Sequence, residues 1–187
     1  LEGLPEQVMV RLESPGENFA VERLLLDWGA KAEPAESYFS LTADEASRLE
    51  EDPGQIVAPR QWYRGYLAAV QQLTARAQPD HVWTTTPRAL EIQFDKPLCQ
   101  ERCAAAGIPI PCPIGLITGW DDLWERMKAD GHHRVFVKLA NSSSASGIVA
   151  IEHLHGRLAA TTSVEMAKSV AGVKLYNSLT IRRYTDG

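Results

Sequence analysis

The sequence is short of the features that mark membrane-spanning and secreted proteins. No uninterrupted apolar run approaches the ~18 residues that a membrane-spanning helix requires, so such a helix is excluded. The first residues contain neither a basic segment nor an apolar run, so no secretory leader is predicted. Only three cysteines occur, Cys99, Cys103 and Cys112, and three thiols cannot all pair with one another. We therefore expect reduced thiols in a cytoplasmic protein.

Several short catalytic motifs are missing as well. The sequence has no Gly-x4-Gly-Lys-Ser/Thr order, so it contains no P-loop. It lacks the Gly-x-Gly-x-x-Gly fingerprint of dinucleotide-binding folds. A Gly-x-Ser-x-Gly elbow is absent, and no His/Asp pair can be assigned to a serine nucleophile, which argues against a serine hydrolase.

The composition that is present belongs to an ordinary globular protein. The chain has 187 residues, of which 44% are hydrophobic and 23% charged. This length suffices for one domain or two small ones with a buried core. Since the sequence starts at Leu1 rather than at a methionine, we expect it to be a piece of a longer protein.

Charge is distributed unevenly along the chain. The net charge is −5, which argues against general nucleic-acid binding. Residues 1–87 carry a net charge of −7, with 7 basic and 14 acidic residues, whereas residues 88–187 carry +2. An anionic ligand is therefore expected in the C-terminal half.

The hydrophobic patterns predict a protein of the α/β to α+β class, with both helices and strands. Helices are predicted from Ser14 to Gly29, from Thr42 to Asp52, and over Pro59–Gln78, Pro97–Ala106 and Trp120–Ala129. Strands are predicted over Gln7–Leu12, Val82–Thr86, Arg134–Ala140, Ile148–Ile151, Leu158–Thr162 and Leu175–Tyr184. Pro79 and a change in composition after it predict two domains, 1–87 and 88–187.

The stretch from Arg134 to Gly147 is the most informative for function. Lys138 lies in an apolar predicted strand, and a buried ammonium is costly unless it reaches an anion or water. The polar loop after it is made of small residues, whose backbone N–H groups and hydroxyls can surround phosphate oxygens. The candidate site residues of this loop are Ser142, Ser143, Ser144, Ala145, Ser146 and Gly147. The alternative is an edge-strand lysine followed by an ordinary hairpin loop.

A second stretch, Asp95-Lys96, precedes a predicted helix that ends at Gly107. On its own it is a helix N-terminus with an acidic residue at the positive end of the dipole. Lys96 is a further candidate site residue, and its alternative role is that of a solvated surface lysine.

Together the two stretches resemble the ATP-grasp superfamily. The N-terminal stretch from Arg11 to Phe19 is similar to a bacterial branch of that superfamily. The shared pattern is Asp-Lys, a helix, Ala-Gly-Ile-Pro-x-Pro, an apolar strand with a lysine, and a small-residue loop that ends in glycine. The two lysines are 42 positions apart. The resemblance implies that Lys96 and Lys138 contact ATP phosphates and that the loop closes over them. It covers residues 84–151 well, and residues 1–87 would be part of the Rossmann-like domain that precedes the ATP-grasp lobe.

The resemblance also implies an activity and a missing part. ATP-grasp ligases activate a carboxylate as an acyl-phosphate, which an amine or thiol then attacks, and they need Mg²⁺. The second lobe supplies the Mg²⁺ ligands and an arginine, and we expect these outside this chain, so no metal ligand is assigned and the fragment itself is expected to be inactive. A truncated chain of this kind would expose an apolar face, so a dimer or domain swap is expected.

Two other functions remain open. The protein could be a non-catalytic nucleotide-binding regulator or scaffold, or an α/β interaction module that binds no nucleotide. Other clusters favour structural roles: the cysteines are expected to be buried thiols rather than zinc ligands, and the histidines to be solvated. The aromatic cluster Trp62-Tyr63-Tyr66 is expected to pack in the core of an acidic segment.

Overall fold

The computed structural model describes residues 7–12, 18–32, 40–142, 146–170 and 172–185. The chain forms two compact units. Unit 1 comprises Leu1–Glu51 and Ala58–Phe94, and unit 2 comprises Asp52–Val57 and Asp95–Gly187. The sequence-based division into 1–87 and 88–187 stays a prediction.

Unit 1 contains four helices and one pair of short parallel strands. Strands β1 (Met9–Val10) and β2 (Val82–Trp83) run parallel. Its helices are α1 (Phe19–Ala32), α2 (Ala43–Ser47), α3 (Pro59–Ala75) and α4 (Pro87–Phe94). The buried core residues, which come from α1, α3 and α4, are Leu25, Tyr63, Tyr66, Leu67, Val70 and Leu90. The prediction that the aromatic cluster packs in the core is confirmed, since Tyr63 and Tyr66 are buried and Trp62 stacks on Tyr66 at 5.4 Å.

Capping residues and a proline at the first helical position explain where these helices begin. Thr42 and Glu45 form a reciprocal capping box at the start of α2, as the sequence predicts. Pro59 takes the first helical position of α3. The sequence reading missed α4, although the Thr86 hydroxyl caps it by accepting from the Ala89 N–H. The predicted Ser14 start of the first helix lies outside the described residues.

The predicted end of α1 at Gly29 is wrong, and the reason lies in helix packing. The helix continues to Ala32. A Cβ built on Gly29 would lie 1.9 Å from the carbonyl oxygen of Gln61 in α3. Gly29 therefore serves a close contact between two helices rather than a helix stop.

Unit 2 is an antiparallel sheet with a helix on one face. The strands β3 (Arg134–Val137), β4 (Val149–Leu154), β5 (Arg157–Ser169) and β6 (Gly172–Thr185) are adjacent in chain order and antiparallel throughout. Helices α5 (Lys96–Ala105) and α6 (Trp120–Ala129) belong to the same unit. Leu123 and Met127 of α6 are buried against Val135 and Ile151 of the sheet. Burial of this apolar stripe stabilises the unit.

Strands β4 and β5, which overlap the predicted strands Ile148–Ile151 and Leu158–Thr162, form an antiparallel hairpin. His155 and Gly156 both have positive φ, at 51° and 76°, as a two-residue hairpin turn requires. The fold class is confirmed as mixed α/β, with one parallel two-stranded sheet and one antiparallel four-stranded sheet. Among the described residues, no helix combines the length and apolar character that crossing a bilayer demands.

Candidate functional site

The candidate site forms where helix α5 begins beside the chain that leaves β3. Asp95 is the N-cap of α5, and its carboxylate accepts from the Leu98 N–H at 2.9 Å. The Lys96 N–H donates to the Ala140 carbonyl at 3.1 Å. Asp95 and Asn141 form an isolated antiparallel β-bridge. The helix start is thus joined by backbone hydrogen bonds to the segment that carries the predicted phosphate loop.

The Lys96 ammonium group is held by that segment. It donates to the carbonyl oxygens of Leu139 (2.9 Å) and Ser142 (2.8 Å) and to the Ser142 hydroxyl (2.9 Å). An ammonium group has three donors, so three protein acceptors match its full capacity. In this arrangement Lys96 fixes the first residue of the loop.

Lys138 has different surroundings from those predicted. β3 ends at Val137, so Lys138 follows the strand rather than lying within it, and its side chain is exposed. The reason is that the chain beyond it pairs with Asp95 and Lys96 instead of with β4. Lys138 is therefore not the buried ammonium group that the sequence predicts. No hydrogen bond or ion pair joins Lys138 to any residue that the structure describes.

The two lysines influence each other electrostatically. Burial lowers the pKa of Lys96, the positive charge of Lys138 lowers it further, and Asp95 acts in the opposite direction. Two cations that repel each other lose that repulsion when an anion binds beside them. The charge arrangement therefore favours an anionic ligand.

The described ends of the loop are tied together. The Ser142 hydroxyl lies 3.5 Å from the Ser146 carbonyl oxygen, at the limit of a hydrogen bond. Gly147 has φ of 68°, in the left-handed region, and a Cβ there would lie 2.6 Å from Cδ1 of Leu139. A glycine therefore suits this turn, and Ser142, Ser146 and Gly147 lie together at the base of the loop. Ser143, Ser144 and Ala145 lie outside the described residues.

The remaining residues considered as metal ligands are the cysteines and the histidines. Cys99 and Cys103 are half-buried, but Cys112 is exposed, so the prediction of three buried thiols is wrong for Cys112. In the described ranges, no three His, Cys, Asp or Glu side chains come together as metal ligands would. His153 lies in β4 with its ring edge-on to Trp124 at 4.7 Å, whereas His155 lies in the turn.

The sequence reading missed one polar cluster in unit 2. The Asp52 carboxylate accepts from the Lys174 ammonium at 2.8 Å and from the Tyr176 hydroxyl at 2.7 Å. These hydrogen bonds lower the pKa of Asp52, with Lys174 contributing most. Lys174 and Tyr176 alternate along β6, but 122 positions separate Lys174 from Asp52. Only the tertiary structure brings them together.

Comparison of the chain with protein-family models, with curated proteins and with solved structures finds no significant match.

Proposed function

We propose that unit 2 binds the phosphate groups of ATP between Lys138 and the start of helix α5. The observation that carries this proposal is the exposed Lys138 ammonium, without a described partner, near a second lysine and a loop of small polar residues. Ammonium groups, hydroxyls and backbone amides are the donors that phosphate oxygens require.

The two lysines have separate roles in this proposal. Lys138 neutralises phosphate charge, because its donors are not used by described residues. Lys96 holds Ser142 in place and contributes its positive charge to the same region. Ser143, Ser144 and Ala145 are assigned, on their residue types, to the part of the loop that covers the phosphates.

The parent activity that we infer is that of an ATP-dependent carboxylate–amine or carboxylate–thiol ligase of the ATP-grasp type. Support comes from the antiparallel sheet of unit 2, and from the pairing of the Asp95-Lys96 helix start with the chain that follows β3. The parallel β1–β2 pair and its helices are compatible with a partial Rossmann-like segment. In such a ligase ATP phosphorylates the carboxylate, and the amine or thiol then displaces phosphate from the acyl-phosphate.

The chain's own residues fit ATP phosphates better than they fit the metal. Mg²⁺ prefers oxygen ligands, mainly carboxylates and phosphates. Within the part of the chain that the structure describes, no carboxylate cluster offers such a set. Mg²⁺ would arrive with ATP, and we assign it no protein ligand among the described residues.

Calorimetric titration of Mg-ATP tests this proposal. We expect saturable binding by the chain and loss of at least tenfold in affinity in Lys138→Ala, since a charge-assisted hydrogen bond contributes about 1.5–3 kcal/mol. Lys168→Ala is the matched control, because Lys168 is an exposed lysine in the part of β5 beyond its pairing with β4. Equal binding by the wild type and Lys138→Ala would contradict the assignment.

One observation favours a second function, that of an α/β interaction module without nucleotide. All three donors of Lys96 are used inside the protein, as expected of a structural lysine. Under this alternative neither the wild type nor any variant binds Mg-ATP, in this chain or in a longer form of the protein. A non-catalytic nucleotide-binding scaffold would instead bind Mg-ATP without turnover in the longer form.

A further inference from the structure

The outer edge of the four-stranded sheet is only partly covered. Strand β6 pairs with β5 on one side, and its other side is an edge of the sheet. The segment Asp52–Val57 covers part of this edge. It donates from the Ile56 N–H to the Leu175 carbonyl at 2.7 Å and accepts from the Asn177 N–H at 2.8 Å. Beside positions 178–185 the described residues place no strand on this side, so the backbone there can pair with a partner strand.

Two apolar side chains of this uncovered stretch lie in water. Leu179 is fully exposed, and Ile181 is 74% exposed. Both belong to β6 and are two positions apart, and residues at this spacing in a strand share one face. Exposed aliphatic side chains on an unpaired strand edge favour pairing with another chain.

The charges in the same stretch do not protect the edge. Arg182 forms an ion pair with Glu165 at 2.7 Å, and Arg183 forms one with Glu152 at 3.3 Å. Both positive charges are therefore balanced within unit 2. Positions 178–185 contain neither lysine nor proline, which are the residues that commonly prevent pairing at strand edges.

We propose that positions 178–184 of β6 pair with the same positions of a second copy of this chain, in an antiparallel arrangement centred on Ile181. The two four-stranded sheets then join into one continuous sheet. Such a contact uses the same surface on both copies, as a closed two-fold dimer requires. The pairing involves neither Lys96 nor Lys138, so its test is independent of the proposed nucleotide function.

Symmetry limits the registers that such a pair can adopt. When a two-fold axis relates two antiparallel strands, the axis passes between one residue and its own copy, because opposite side chains must share a face. The segment beside positions 175–177 limits the choice further. A centre at Thr180 or earlier would set at least three residues of the copy against these covered positions, since β6 runs to Thr185.

Charge and length exclude the registers on the other side. A centre at Arg182 or Arg183 would place an arginine directly opposite its own copy, which is destabilising. A centre at Tyr184 or beyond would pair no more than three of the described positions of β6. A centre at Ile181 avoids both problems and brings only Thr185, the last residue of β6, against a covered position.

The register centred on Ile181 places compatible side chains opposite each other. Ile181 faces its own copy, and Leu179 faces the aliphatic stem of Arg183. Thr180 faces Arg182, so no two like charges are directly opposite. The Leu179 and Ile181 side chains of both copies form one apolar cluster, which removes their surface from water.

The predicted contact is small. Each copy contributes one strand edge and the two exposed aliphatic side chains, and interfaces that bury less than about 1,200 Å² are typical of weak complexes. We therefore expect a reversible dimer with a dissociation constant in the micromolar range.

Sedimentation velocity from low micromolar to near millimolar concentration tests the proposal. We expect the wild type to change from monomer to dimer over this range. Ile181→Lys should weaken association at least about tenfold, because it removes the central apolar pair and places two ammonium groups opposite each other. Leu154→Lys is the matched control, since Leu154 is 60% exposed but lies in the interior strand β4, and its dimerisation should equal that of the wild type.

Mixing two charged variants tests the register itself. Ile181→Lys and Ile181→Glu should each associate weakly on their own. An equimolar mixture should form the dimer again, because the lysine of one copy then faces the glutamate of the other. A dimer formed through another surface or in another register gives no such recovery.

Four results would overturn the proposal. They are a wild type that stays monomeric near millimolar concentration, an Ile181→Lys variant that dimerises like the wild type, an equal loss in Leu154→Lys, and a mixture that stays monomeric. Circular dichroism of each variant checks its folding, which substitution of an exposed side chain should preserve. A folded Ile181→Lys variant that has lost association supports the interface.

Discussion

Lys96 and Lys138 carry the same charge, but their surroundings differ and give them different roles. Lys96 is partly buried and donates three hydrogen bonds to the chain at 139–142. Lys138 is exposed and has no described hydrogen-bond partner. Residue identity alone therefore does not define their roles, because the environment decides whether an ammonium group stabilises the fold or remains available to a ligand.

Removing each ammonium group should separate stability from binding. Lys96→Met keeps the apolar stem but leaves part-buried carbonyl acceptors without their charged donor, so we expect a loss of about 1.5–3 kcal/mol in the free energy of unfolding. Lys138→Met should change it by no more than about 0.5 kcal/mol, as surface substitutions usually do. Urea denaturation measures both. A Lys96→Met variant as stable as the wild type would contradict the tethering role.

Local sequence patterns single out Lys96 and Lys138 as candidates, but they do not assign the contacts of these lysines. An acidic residue at the start of this helix follows from local patterns, and Asp95 is the N-cap of α5, although the helix begins at Lys96 rather than at the predicted Pro97. The hydrogen bonds from Lys96 to Leu139 and Ser142 join positions more than 40 residues apart, and no local pattern encodes them. The apolar neighbours of Lys138 predict a strand there, but such neighbours do not indicate where the pairing of β3 ends.

At the scale of elements, two glycines set the approach of α1 and α3. A Cβ on Gly65 would lie 1.8 Å from the carbonyl oxygen of Leu25, and one on Gly29 would lie 1.9 Å from that of Gln61. Such contacts are with backbone, so rotation of a side chain cannot relieve them. In addition, the Gln61 side-chain amide donates to the Leu26 carbonyl at 2.7 Å across the same crossing.

Gly65→Ala should therefore force the two helices apart. We expect a loss of about 3 kcal/mol or more, at the upper end of what overpacking costs. Leu24→Ala is the control, since Leu24 lies on the exposed side of α1 and is 58% exposed. Thermal unfolding, monitored by circular dichroism, measures the melting temperatures of both variants. Equal melting temperatures would contradict the close packing of α1 and α3.

In unit 2, a short segment is joined to the outer edge of β6. The Ile56 N–H donates to Leu175 at 2.7 Å, and the Asn177 N–H donates to Gly54 at 2.8 Å. Asp52 adds the hydrogen bonds from Lys174 and Tyr176. The segment thus satisfies part of an otherwise unpaired strand edge, which reduces the risk of aggregation.

This attachment should weaken in acid. The pKa of Asp52 is lowered in the folded protein, so its stabilising contribution is complete above the usual carboxyl pKa of about 4 and is lost as pH falls through the lowered folded value. Asp52→Asn should be less stable at pH 7 and should show a smaller loss between pH 5 and pH 2. Denaturant unfolding at several pH values measures this, with Asp130→Asn at the exposed end of α6 as the control. Identical pH profiles for wild type and Asp52→Asn would contradict the assignment.

Most elements were predictable because capping and periodicity are local. The capping box of α2, the hairpin turn and helix α6 are of this kind. The errors have nonlocal causes: Gly29 is small because α3 approaches it, and β3 is short because its continuation pairs with α5.

At the scale of the whole molecule, each unit has a core of its own. Val70 is fully buried in unit 1, and Met127 is 2% exposed in unit 2. The chain passes between the units more than once, since unit 2 includes Asp52–Val57 as well as Asp95–Gly187.

Two cores predict two unfolding transitions. Calorimetry should resolve them, and core truncation should move one transition at a time. Leu67→Ala should reduce the free energy of unfolding of unit 1 by about 2–5 kcal/mol, and Met127→Ala should reduce that of unit 2 by a similar amount. A single transition that both variants shift equally would show that the cores are not independent.

The central claim is that Lys138 meets the phosphate groups of a nucleotide, and a ligand series tests it most directly. Binding of Mg-ATP, Mg-ADP and AMP would be measured for the wild type and for Lys138→Ala by calorimetry. We predict that affinity decreases in the order ATP, ADP, AMP in the wild type, and that the substitution weakens ATP binding at least tenfold more than AMP binding. An equal effect on all three nucleotides, or no effect on any, would contradict the claim.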